Sequence, residues 1–185
     1  DENGVIYGKD AFAGEFHNMP FMNAKIGGLD KMGDYASITG LVNLYNEKAA
    51  EYDKVQYGYE VSHKYLNGDR IAVWSVEEWI RNIVAQLLVI TVFYNPEVIC
   101  IGGGISEEDW FIDKVSAQYK KTCIDYFEAD FITTEIDRCK YNNDANLLGA
   151  VIKASLWAKK QCFQEKSSEI KFLRTGGEAA VIYEK

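Results

Sequence analysis

Apolar and polar residues change rhythm along this chain, and each change marks an element. From Asp34 to about Glu51, Ile38, Leu41, Val42 and Tyr45 recur at threes and fours, the spacing of one helix face. A shorter helix is predicted around Tyr59 to Leu66, closed by Asn67 and Gly68. Asp69 has the side chain of an N-cap, and Ile71, Trp74, Trp79, Ile83, Leu87 and Ile90 then carry a long helix to Tyr94. Its last third, Ile83 to Tyr94, is apolar on nearly every face and is expected to be a buried helix packed on the sheet. Pro96 stops it, because proline lacks the N–H a helix needs.

Beyond that stop the rhythm shortens. Val98 to Ile101 is an unbroken apolar run of strand length, which predicts a strand covered on both faces. Glu107 to about Asp125 returns to a helical period, and a strand is expected near Phe131 to Ile136. The small residues of Asp144 to Ala150 open a further helix to about Gln164, with Gly149 and Ala150 read as close helix-to-sheet packing. At the ends, Gly4 to Tyr7 reads as the tail of a β-hairpin or a short strand, residues 8–14 as a loop, and Ile170 to Tyr183 as a hairpin turning at Thr175-Gly176-Gly177. The order α, β, α, β, α predicts an α/β fold, a mixed sheet flanked by helices.

With 185 residues, 48% of them hydrophobic, the chain can bury a substantial core. Twenty basic residues against 28 acidic ones give a net charge of −8, which opposes tight contact with a phosphate backbone. No nucleic-acid partner is expected for this segment. Its longest apolar run, broken by Gln86 and Thr91, falls short of the roughly 20 residues a membrane span needs, so no membrane partner is expected either. No export signal opens the sequence, and Cys100, Cys123, Cys139 and Cys162 form no Cys-x-x-Cys pair. Reduced, mostly buried thiols in a cytoplasmic protein are the expectation.

The stretch Cys100-Ile101-Gly102-Gly103-Gly104-Ile105 joins the strand to a turn without side chains. Two readings fit it. It is a plain strand-to-helix connector, or a place where backbone approaches a flat or phosphorylated ligand at a strand's carboxyl end.

Three motifs in order, Ala13-Gly14-Glu15-Phe16, Ile101 to Ile105, and Asp144 to Ala150, resemble the ROK family (repressors, open reading frames, sugar kinases) over residues 4 to about 160. The resemblance implies a ribonuclease H-like, actin-like ATPase domain over residues 1–165, with 166–185 as an extension. It makes Glu15 a carboxylate that accepts hydrogen bonds from sugar hydroxyls. It sets Asn18 at a position where the family usually has a sugar- or zinc-facing His, with the His shifted to position 17. Gly102, Gly103 and Gly104 become backbone lying against the adenosine end of ATP. The family's cysteine-rich zinc loop has no counterpart here, so no zinc is expected. Gly33 stands where a second sugar-binding Glu is usual, with Asp30 or Asp34 as neighbouring substitutes, a departure shared with zinc-free relatives resembling β-glucoside kinase.

The resemblance further implies ATP and Mg²⁺ as cofactors of the full-length protein, a sugar substrate, and a homodimer. The first phosphate loop and the catalytic Asp of such kinases match nothing in this sequence. The chain is therefore expected to be the C-terminal part of a hexose or β-glucoside kinase, inactive alone. A sugar-sensing domain of a ROK transcriptional regulator, and a degenerate ROK scaffold without ligand, stay open as alternatives.

Overall fold

A short hairpin precedes the helical core. In the computed structural model, which describes residues 6, 8–23, 25–128, 130–141, 144 and 146–159, β1 (Pro20–Asn23) pairs antiparallel with β2 (Gly28–Lys31). Neither strand is legible in the hydrophobic pattern, because each is four residues long and half exposed.

The single helix expected from Asp34 to Glu51 is two: α1 (Met32–Ala36) and α2 (Ile38–Lys48). The break falls at Ser37, whose extended backbone lets its Oγ accept from Gly40 N at 3.2 Å and cap α2. At the break Trp79 Nε1 donates to Ala36 O at 3.0 Å and to Ser37 O at 2.9 Å, the latter also accepting from Leu41 N at 3.1 Å. The buried tryptophan thus holds the kink it packs beneath.

The next two helices follow the hydrophobic pattern closely. α3 (Gly58–Leu66) is the predicted short helix, and α4 (Arg70–Tyr94) the long one, with Asp69 Oδ1 accepting from Ala72 N at 2.8 Å. Asn95 ends α4 in the left-handed region at φ +41°. The buried stripe of α4 is Ala72, Ser75, Val76, Trp79, Ile80, Val84, Leu87 and Thr91. Trp79 and Leu87 lie on it, whereas Ile71, Trp74, Ile83 and Ile90 are half-buried at its flanks, because small Ala72 and Ser75 take the tightest positions. Within Ile83 to Tyr94 Val84, Leu87 and Thr91 are buried, the residues between them are half-buried, and Val92, Phe93 and Tyr94 are exposed, so the expected all-round burial is not formed.

α5 (Asp109–Phe127) packs on α4, with Phe111 stacked on Trp79 at 5.2 Å and Tyr119 OH 2.6 Å from Thr91 Oγ1. Leu41, Tyr45, Val61, Val76 and Val115 complete the core. β3 (Val98–Ile101) pairs parallel with β4 (Glu135–Arg138), Ile99 opposite Ile136 and Ile101 opposite Arg138. β4 starts later than predicted. The apolar Phe131 is 77% exposed, and the ladder opens with Glu135 N donating to Glu97 O at 2.9 Å.

Three further expectations need correction. β3 is not covered on both faces: Ile99 and Ile101 turn toward the core, while Val98 and Cys100 are exposed, because α4 and α5 cover one side only. The thiols are correspondingly mixed, with Cys123 buried, Cys139 half-buried and Cys100 exposed. The helix at residues 146–159, α6, leaves nearly all of its side chains exposed, and the space beside Gly149 is open, so the predicted packing of Gly149 and Ala150 on the sheet is not formed. The expected strand at Gly4 to Tyr7, apart from the exposed Ile6, the end of the last helix, Cys162 and the hairpin within 170–183 lie outside the described residues.

Candidate functional site

Glu15 and Asn18 are brought together by a 3-10 turn, Phe16–Asn18. Gly14, at φ +82°, turns the chain into it, Phe16 N donates to Gly14 O at 2.8 Å, and Asn18 N donates to Glu15 O at 3.0 Å. Three ties then fix the turn to the fold. Met32 N donates to Met19 O at 2.9 Å, the Phe16 ring meets Tyr94 edge-on at 6.3 Å, and Gln86 Nε2 lies 3.5 Å from Phe16 O. Both residues line one open cleft of about 310 Å³, walled by Phe12, Phe16, Val89, Phe93 and Tyr94. A carboxylate and an amide beside aromatic rings suit a ligand with hydroxyls on one side and C–H bonds on another.

The two aspartates considered as substitutes for a second carboxylate are not in that cleft. Asp30 and Asp34 line a separate opening of about 410 Å³ between the β1-β2 hairpin and α2, with Asn23, Tyr35 and Glu47. Asp30 is also occupied. Its Oδ2 accepts from Tyr35 OH at 2.6 Å and from Asn23 Nδ2 at 3.0 Å, and its Oδ1 accepts from Lys31 N at 2.9 Å. The Tyr35 bond foremost, then Asn23 and Lys31, hold its carboxyl below the ordinary carboxylate value, while the same bond pushes the Tyr35 phenol up. This network clamps the hairpin to α1.

Gly33 has a different role from the one its position suggested. A Cβ built there would stand 2.0 Å from His17 Nδ1, 2.5 Å from His17 Cγ and 2.8 Å from His17 Cα. The imidazole fills the space a side chain at 33 would need, and its Nε2 lies 3.6 Å from Asp34 Oδ1. A side chain at position 33 would require the imidazole and the main chain of His17 to shift.

Gly102, Gly103 and Gly104 do not line the Glu15 cleft. They follow β3 and lead into a 3-10 turn, Gly104–Glu107, before α5. Gly103 sits at φ +92°, and a Cβ at Gly103 or Gly104 would meet nothing within 4 Å. Open space beside bare backbone fits a flat nucleotide base or ribose, though it requires none. Buried Ser106 braces the turn, its Oγ donating to Gly103 O at 2.7 Å. Arg138, across the ladder from Ile101, is a residue that no sequence motif points to. Its Nη2 donates to Asp109 Oδ1 at 2.6 Å, and its buried Nε has no hydrogen-bond partner among the described residues. Only the strand register brings it beside the glycine turn. Among the described residues no cluster of His, Cys, Asp and Glu is arranged to hold a metal ion, and no helix is long and apolar enough to cross a membrane.

Comparison with known proteins covers most of the chain. The ROK family model matches residues 2–160. A glucokinase from Pyrobaculum calidifontis is 27% identical over 158 residues, 82% of this chain and 51% of that protein. A ROK family protein from Streptococcus pneumoniae, solved in complex with sucrose, superposes with a TM-score of 0.72 at 28% identity, over 84% of this chain and 52% of that one. A ROK family glucokinase from Streptomyces griseus, solved with glucose and AMPPNP, gives 0.66 at 20% identity, over 80% and 53%. The chain spans about half the length of the curated relatives it matches. Its fold is the ribonuclease H-like, actin-like ATPase fold of these neighbours, a mixed α/β arrangement of helices and small sheets.

Proposed function

This chain belongs to the ROK family, and from that membership we propose that the protein carrying it is an ATP-dependent sugar kinase, acting on a hexose or β-glucoside. In this reading residues 1–165 form the C-terminal domain, which supplies the sugar-facing and adenosine-facing walls of the site. The observation that carries it is the cleft itself: Glu15 and Asn18 on one tethered turn, beside Phe12, Phe93 and Tyr94. The similarity to a glucokinase and to sugar-bound ROK structures supports it.

Phosphoryl transfer is mostly positioning and charge neutralisation. Glu15 accepts from a sugar hydroxyl, a charge-assisted bond that orients the ring, and the aromatic walls exclude water from its C–H face. The bare backbone of Gly103 and Gly104 lets a nucleotide approach the end of β3. Mg²⁺ bound with ATP would neutralise the phosphates, and no residue of this chain is assigned to hold it. The base that takes the sugar proton also comes from outside the chain, so these 185 residues alone are inactive. A cytoplasmic homodimer completes the proposal.

The test is an ATP-coupled assay of the protein expressed whole from its gene, against a panel of hexoses and β-glucosides. Phosphorylation of one of them is expected. Glu15→Ala is expected to cost about 1.5–3 kcal/mol of sugar binding, a roughly ten- to hundredfold rise in sugar KM, because it leaves hydroxyls unpaired. An unchanged KM and kcat removes Glu15 from the site. Sugar-dependent DNA binding without ATP turnover selects the regulator, and no sugar affinity at all the scaffold.

A further inference from the structure

We propose that Gly33 is a positioning residue for the Glu15 cleft, and that His17 is the residue it positions. Neither lines the cleft. The inference rests on the reading of that cleft as a sugar site, and its steric part stands without it.

Gly33 is buried at the second position of α1, and the 3-10 turn Phe16–Asn18 lies directly against it. Two of the three atoms a Cβ would meet, at 2.0 and 2.5 Å, belong to the imidazole, and the third, at 2.8 Å, is His17 Cα. Rotating the side chain away relieves the first two. The third is main chain, and yields only if the turn itself moves. His17 is flanked in that turn by the residues that matter, with Asn18 next to it and Glu15 two residues before it. A displacement of His17 is therefore passed to both cleft residues along hydrogen bonds already present, Asn18 N to Glu15 O and Met19 N to Phe16 O. Met32, the residue before Gly33, donates its N–H to Met19 O at 2.9 Å, so the turn cannot slide past α1 without breaking that bond.

Backbone preference runs the other way. Alanine is the better helix former, so an unobstructed Gly33→Ala would stabilise α1. The steric and propensity arguments thus predict opposite signs for one substitution. The pairing also has a consequence for specificity: with His17 in place no carboxylate can project from position 33, and among the described residues lining the cleft Glu15 is the single carboxylate.

The experiment compares Gly33→Ala, His17→Ala and the double variant in the whole protein, reading sugar KM, ATP KM and Tm, with calorimetric sugar affinity replacing KM if the protein does not turn over. Gly33→Ala is expected to raise sugar KM on the order of ten- to a hundredfold, the scale of an ångström-sized misplacement, with ATP KM unchanged and Tm lowered. In the double variant the imidazole is gone and only the main chain of residue 17 still obstructs the new methyl, so sugar KM and Tm both return part of the way, a non-additive pair. A raised Tm for Gly33→Ala, an unchanged sugar KM, or additive effects in the double variant overturns the proposal. If Gly33→Ala does not fold, recovery of folding in the double variant still supports the pairing, and failure to recover overturns it. If the wild type binds no sugar, the sugar-site reading and the positioning role fail together, while the Tm coupling still decides whether residues 17 and 33 are sterically paired.

Discussion

Gly33 and the Gly103-Gly104 turn are glycines of opposite kinds. At Gly33 the missing Cβ is already replaced by another residue's atoms, 2.0 Å away, whereas beside Gly103 and Gly104 there is nothing within 4 Å. The first glycine serves packing and the second serves either a turn or a ligand. The run of three glycines draws attention in the sequence, and the isolated Gly33 looks like a residue that was lost. The space around each Cβ position reverses that emphasis, since the isolated glycine is the one the fold cannot replace.

The largest effect that sharpens this contrast belongs to Gly40, which shares the crowded side. A Cβ there would lie 2.6 Å from both Asp34 O and Tyr35 O, backbone atoms at the end of α1 that cannot rotate away. Gly40→Ala is expected to destabilise by about 3 kcal/mol, the upper part of the overpacking range, measured by urea denaturation with an unchanged m-value. A cost within about 0.5 kcal/mol, the range of an ordinary surface change, would mean that α1 and α2 separate easily and that crowding does not define this region. On the open side Gly103→Ala is expected to cost about 1–3 kcal/mol, because φ +92° with ψ 169° is a region open essentially to glycine only. Gly104→Ala has no such strain and is expected to stay within about 0.5 kcal/mol. Its effect belongs in the nucleotide: if the turn faces adenosine, the added methyl raises ATP KM while sugar KM holds. A Gly104→Ala protein with normal ATP KM makes the turn a connector.

The same contrast explains what the sequence disclosed. α4 and α5 are legible because each carries a long apolar stripe, α3 through its Asn67-Gly68 stop, and Asp69 because an N-cap is a local chemical signal. The α1-α2 break is not, because Ser37 interrupts no periodicity and its reason, the Trp79 indole, is 42 residues away. β4 was placed early because Phe131 and Ile132 are the apolar residues, while the strand is fixed by its partner β3. At the candidate site, Glu15 and Asn18 were found through a motif and do share a cleft. Asp30 and Asp34 were proposed by nearness in sequence and line another. The steric pairing of His17 with Gly33 left no trace in composition or period, since it depends on how closely two backbone segments approach.

The smallest expected effect is one of pH, and it also separates the two regions. Asp30 has a folded pKa held below the ordinary 3.8, chiefly by the Tyr35 hydroxyl, so its clamp on the hairpin is intact above that value and is lost as pH falls through the lower folded one. Tyr35 has the complementary limit: its raised folded pKa keeps the phenol donating below 10.0, and the clamp is lost as pH rises through the raised value. Between the two limits the Tm gap separating wild type from Asp30→Asn is expected to stay constant. Below the ordinary carboxylate range it should narrow, because the protonated Asp30 carboxyl and the amide that replaces it in the variant then carry the same charge. Asp30 is half-buried beside an opening to solvent that screens its charge, so the gap is small and is read as a difference between two profiles. Gly104→Ala, with no titratable group in its effect, should run parallel to wild type throughout the same range. A gap for Asp30→Asn that ignores acid would show that hydrogen bonds to that carboxylate do not hold the hairpin, and that steric contact at Gly33 and Gly40 alone organises this side of the molecule.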